Sequence, residues 1–169
     1  MGGKSKQKGS SFEREVCKTL SLWITGGKDK ELFWRSAMSG GRATRASKKG
    51  LIHNVAGDIC AVGAAGHALT DVFFVECKNY RDLSLENFFV KQSGILAEFW
   101  ARCFEEAHKH RKIPMLIAKQ NRTPTLVVLP PKYLKQEQVR IIVVPLLCEI
   151  TTLEDMTSQP YSIPRARFM

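Results

Sequence analysis

The stretch Gly57-Asp58-Ile59-Cys60-Ala61-Val62, followed after a Gly-containing turn by Val72-Phe73-Phe74-Val75-Glu76-Cys77-Lys78, decides how this chain is read. An aspartate opens one apolar strand and a Glu-x-Lys closes the next. Side chains alternate along a strand, so Glu76 and Lys78 share a face and Cys77 turns to the other. The two runs read as a hairpin that gathers two carboxylates and one ammonium at one end. Such a group suits a magnesium ion and a water to be activated. Taken singly, each residue has a plainer reading: Asp58 as turn chemistry after Gly57, Glu76 and Lys78 as solvated strand-end charges.

Around this stretch the chain has the length of one ordinary domain, 169 residues, with 44% hydrophobic and 25% charged residues, which excludes a disordered polyelectrolyte. Lys and Arg number 26 against 16 Asp and Glu, a net charge of +10. The pI near 9.6 fits a polyanionic partner such as nucleic acid, although a solvated basic surface has the same composition. Five scattered cysteines, with no Cys-x-x-Cys pair, read as small core residues in a reducing cytoplasm rather than zinc ligands or a disulfide framework. No apolar leader core and no run of about 18 apolar residues is seen, so neither a signal peptide nor a membrane span is expected.

The organisation expected along the chain is a flexible basic arm (1–9), a domain (10–150) and a loosely ordered tail (151–169). Ser10 and Glu13 fit a capping box that opens a helix to about Gly26, with Phe12, Val16, Leu20 and Trp23 as its apolar stripe. At about 100° per residue, Glu13 falls about 100° from Phe12, inside the stripe, while Glu15 falls at about 300°, on the far side. A short strand is expected over 31–35, then a long Ser/Gly/Arg/Lys-rich loop over 36–56. A second helix is expected from Ser84 to about His110, burying Ile95, Leu96, Phe99, Trp100, Cys103, Phe104 and Ala107. Strands follow over 115–118, 126–129 and 141–144. Helix, strands, helix, strands give an α/β fold with a central mixed sheet flanked by helices.

With these residues in view, the chain resembles the PD-(D/E)XK nucleases, and within them the archaeal-type Holliday junction resolvases and related phage endonucleases. The resemblance rests on Lys8-Gly9-Ser10-Ser11-Phe12-Glu13-Arg14, Arg35-Ser36-Ala37-Met38-Ser39-Gly40, Gly57-Asp58-Ile59, Phe74-Val75-Glu76-Cys77-Lys78 and Lys91-Gln92. It spans about the first two thirds of the chain. It implies a restriction-endonuclease-like core and an endonuclease that hydrolyses DNA with Mg²⁺, Mn²⁺ substituting. Asp58 and Glu76 would hold the metal, with Glu13 reaching it directly or through water. Lys78 would orient the water and offset phosphate charge, and Gln92, placed on the inner side of its helix, would support the site. Arg35, Ser36, Ser39 and Arg42 would contact phosphates near the cut, and Arg45, Lys48 and Lys49 would grip the backbone.

The resemblance further implies a homodimer and branched DNA as substrate, and the cysteine usage places the protein in the cytoplasm (the host's cytoplasm for a phage protein). Two other readings stand beside it: a nicking or restriction-like phage nuclease on duplex DNA, and a nuclease-like module that only binds nucleic acid. The long basic loop between Gly40 and Gly57 departs from the family pattern.

Overall fold

Phe12, Val16, Cys17 and Leu20 are buried along one face of helix α1 (Gly3–Ile24), and this stripe seats the helix on everything that follows. The computed structural model describes residues 3–36, 56–134, 141–143, 146 and 148–161, with side chains from Lys8 onward except at 141 and 142. The expected stripe stands, but the helix starts earlier than the capping box implies. The stretch 3–9, expected as a flexible arm, is helical, and Ser10 sits inside the helix, where its Oγ accepts from Arg14. The straight-chain Lys and Gln residues before Ser10 propagate a helix well, so the cap signature is overridden. Lys8 Nζ donates to Asn121 Oδ1 at 2.7 Å, tying the start of the helix to a distant turn.

Strands β1 (Phe33–Arg35) and β2 (Ile59–Ala61) form an antiparallel ribbon, Trp34 opposite Cys60. The Ser21 hydroxyl fastens the ribbon to α1 by accepting from Phe33 N–H at 3.1 Å. The expected hairpin of 59–62 with 72–77 does not form. Between them the chain makes a 3-10 turn (Ala64–Gly66) and a short helix α2 (His67–Thr70), which buries Leu69. β2 therefore pairs back with β1, and β3 (Phe73–Tyr80) enters a different sheet.

That sheet runs in the order β3-β4-β5-β7-β6, with β4 (Ile113–Gln120), β5 (Leu126–Leu129), β6 (Ile141–Val143) and β7 (Cys148–Thr152). β3 and β4 are parallel, Glu76 opposite Leu116, and the other pairs are antiparallel. The crossover between the parallel strands is α3 (Ile95–Lys109). The mixed sheet and its helices give the expected α/β class. Alternation along β3 separates two cores: Phe73, Val75 and Cys77 pack with α1, while Phe74 packs with Leu96, Trp100, Cys103 and Ala107 of α3.

Two further expectations are corrected. The second helix is broken, because a π-helical turn (Asn87–Lys91) ends at Gln92 and α3 restarts after Gly94 at φ +92°. Of the expected buried face, Phe104 is instead exposed. The tail is ordered over its first part: β7 leads into helix α4 (Leu153–Ser158), whose start is capped by Thr152 Oγ1 accepting from Asp155 N–H at 3.0 Å. All five cysteines are buried free thiols. Among the described residues no helix is long and apolar enough to cross a membrane.

Candidate active site

β3 is an edge strand of its sheet, and an edge leaves backbone groups in search of partners. The chain entering β2 supplies them. Gly57 forms a parallel bridge with Val75 at φ +82°, and a Cβ there would stand 2.5 Å from the Val75 carbonyl oxygen. Only glycine fits that approach and that backbone conformation. The next residue is thereby fixed: Asp58 N–H donates to Val75 O at 2.8 Å, and Asp58 O accepts from Ser36 N–H at 2.9 Å. The Asp58 carboxylate turns onto β3, where Oδ2 accepts from Cys77 N–H at 2.8 Å. A hydrogen bond to an ionised acceptor contributes about 1.5–3 kcal/mol, enough to hold this rotamer.

Glu76 and Lys78 flank that amide and, by alternation, share the α3 face of β3. The Lys78 ammonium is bonded to Glu76 Oε1, and it lies 5.5 Å from the centre of the Phe99 ring. Burial pushes the Glu76 carboxyl above its ordinary value, the Asp58 charge adds to this, and Lys78 opposes it. Burial draws the Lys78 pKa down, but the bond to Glu76 together with the charges of Glu76 and Asp58 carries it above its ordinary value. Two carboxylates thus compete for compensation from a single lysine.

Glu13 approaches from α1. Its carboxylate is bonded to Arg35 Nε, and both side chains are largely buried, 15% and 16% exposed. Glu15 is 59% exposed and pairs with Lys119 at 3.1 Å. The helix phase inferred from sequence therefore separates the two glutamates as expected. Among the described residues no three His, Cys, Asp or Glu side chains group as metal ligands, and Glu13 is bonded to Arg35. Asp58 and Glu76 remain a hard-oxygen pair short of positive charge. That suits a hard divalent cation, held by one or two carboxylates with waters and substrate phosphate completing its shell.

Gln92 departs from expectation. It is exposed, at φ +52°, in the connection before α3 rather than on its inner face. Ser36 is buried, and Arg35 is engaged by Glu13, so neither presents itself as an open phosphate contact. Ser39, Arg42, Arg45, Lys48 and Lys49 lie outside the described residues.

A groove of about 480 Å³ opens between β3 and α3, and Glu76 and Lys78 stand in its wall. Tyr80, Phe99, Arg102, Glu105 and Glu106 line it too; of these the sequence reading named only Phe99, and as a core residue. The legible signal was spacing: Tyr80 continues the Glu76/Lys78 alternation, and Phe99, Arg102 and Glu106 recur at helical intervals.

A helix laid on a mixed sheet, whose edge strand carries Glu-x-Lys and receives an aspartate from a neighbouring ribbon, defines a PD-(D/E)XK nuclease. Residues 4–158 match the family described as "Phage putative PDDEXK endonuclease", and the chain belongs to that family. No curated protein and no solved structure gives a significant match to the chain.

Proposed function

We propose that this chain is a Mg²⁺-dependent endonuclease that hydrolyses phosphodiester bonds in DNA, with Mn²⁺ able to substitute. The observation that carries this reading is the meeting of Asp58, from the ribbon, with Glu76 and Lys78, from the edge strand, about the single amide of Cys77. A divalent ion bound to these carboxylates supplies a Lewis acid for the phosphate and a water of lowered pKa. Asp58 and Glu76 would hold that ion, and Lys78, bonded to Glu76, would offer its protons to the attacking water and to the phosphate oxygens, where charge accumulates in the transition state. Glu13 acts as a positioning residue that holds the Arg35 guanidinium at the end of β1. No covalent enzyme intermediate is needed.

Within this reading the substrate is branched DNA, cut by a homodimer in paired symmetric nicks. The support is the likeness of Lys8–Arg14 and 35–40 to junction resolvases, together with a net charge of +10 suited to selection by backbone shape. The test is a cleavage panel of a four-way junction, a Y-fork and a linear duplex, with and without Mg²⁺, alongside sedimentation to count subunits. Mg²⁺-dependent cutting of the junction in the presence of excess unlabelled duplex supports the proposal. Equal competition by duplex replaces it with a general duplex endonuclease, and a monomer making single nicks removes the paired cut. Binding without cleavage of any substrate leaves a nucleic-acid-binding module.

A further inference from the structure

The groove beside Glu76 and Lys78 has two unlike walls. Along β3 the same face carries Phe74, Glu76, Lys78 and then Tyr80, whose Cα lies about 7 Å beyond that of Lys78 at the ordinary strand rise. Tyr80 is 46% exposed, at the very end of the strand. It is not loose: its ring meets Phe99 of α3 edge-on, centroids 5.0 Å apart, and Phe99 is itself close to the Lys78 ammonium. The groove therefore ends in a braced aromatic surface one residue pair from the candidate catalytic lysine. The facing helix contributes Arg102, Glu105 and Glu106, the last paired with Lys109. The charges on that wall are mixed, so the aromatic end of the groove beyond Lys78 is not marked out for a phosphate. A nucleobase is neutral, has a π-face for an aromatic ring and offers amino hydrogens to carboxylates.

We propose that Tyr80, braced by Phe99, stacks on an unpaired base of the substrate next to the phosphate that is cut. The inference rests on the nuclease reading and gives it a substrate feature. A base inside a continuous duplex is stacked on both sides and cannot enter the groove, whereas a base at a branch, a flap or a distorted step can. Selection for branched DNA then arises at the site itself, in addition to any backbone grip. Stacking of one base on an aromatic side chain is commonly strong enough that its loss costs about tenfold or more in binding.

The experiment uses the full chain and a Y-fork with 2-aminopurine at the unpaired position beside the branch. In EDTA, wild-type protein should quench the probe. Tyr80→Phe should quench equally, and Tyr80→Leu, which fills the same space without a π-face, should not. Phe104→Ala, which removes an exposed aromatic outside the groove lining, should quench as wild type. With Mg²⁺, single-turnover cleavage of the fork should fall about tenfold in Tyr80→Leu, while cleavage of fully paired duplex changes little. Unaltered quenching by Tyr80→Leu, equal loss on fork and duplex, or loss of quenching in Phe104→Ala overturns the proposal. Wild-type protein that quenches but cuts nothing with Mg²⁺ overturns the nuclease reading and leaves the stacking surface standing. Wild-type protein that cuts but does not quench does the reverse.

Discussion

The carboxylate of Asp58 accepts the backbone N–H of Cys77 at 2.8 Å, so an acid from one sheet is fastened to the edge of another. The bond needs an oxygen acceptor, and the carboxylate charge only strengthens it. Asparagine can make the same bond through its own oxygen. We expect Asp58→Asn to fold with a melting temperature close to wild type and to bind DNA. Its cleavage should be lost, as wild-type cleavage is in EDTA. Thermal melts, gel shifts and single-turnover assays check this; cleavage by the variant in EDTA would remove the metal mechanism.

Gly57→Ala should behave in the opposite way, failing in structure before chemistry. A positive φ costs a residue with a Cβ about 1–3 kcal/mol, and here the methyl would also press on the Val75 carbonyl. Urea denaturation should show that loss or more. The cleavage remaining in folded protein should fall as well, because Asp58 is placed by this bridge.

Glu13 and Glu15 lie on one helix and differ in surroundings. Glu13→Gln leaves Arg35 largely buried without its counter-charge, so turnover should drop strongly. Glu15→Gln removes only an exposed pair with Lys119, worth at most about 1 kcal/mol, and should cleave as wild type. Parallel single-turnover rates decide it, and equal losses would show that the burial of Glu13 has no bearing on catalysis.

The buried thiols set an alkaline limit. Burial pushes Cys17 and Cys148 up to about 12 and Cys60 to about 11, from an ordinary value of 9.0. Above pH 9 the unfolded chain loses these protons while the folded chain keeps them. The folded state then binds more protons, and stability must fall as pH rises. Each thiol can contribute a slope of up to about 1.4 kcal/mol per pH unit in that window. Denaturant midpoints measured under reducing conditions at pH 8 and pH 10 should show the decline. Cys17→Ala should make it shallower, whatever that substitution does to stability at pH 8.

The acidic pair and its lysine were legible because a period of two on an apolar strand leaves little freedom: with Phe74 inside, Glu76 and Lys78 must share its face. The partner strand was not legible. The segment 63–70 looks like a Gly-rich turn, but His67–Thr70 forms a helical turn that buries Leu69, and the space it occupies sends β2 back to β1. Gln92 was misplaced because the helical pattern is broken twice, at Gln92 itself with φ +52° and at Gly94 with φ +92°, so the phase of α3 does not extend back to it. The Thr152 cap, with Asp155 three residues on, marked a helix in what was expected to be a loosely ordered tail. Tyr80 was overlooked because a strand-end aromatic is ordinary until Phe99, nineteen positions away, is known to brace it.

The two-stranded ribbon and the five-stranded sheet are distinct sheets joined by the Gly57–Val75 bridge and a shared core, with Asp58 at the entry to the ribbon and Glu76 on the larger sheet. A chain in which only one unit has formed lacks the other half of the centre. On the proposed nuclease reading, cleavage therefore requires that the ribbon has docked on β3. In stopped-flow refolding, recovery of cleavage should lag behind recovery of sheet signal by circular dichroism; simultaneous recovery would show that the two units form together.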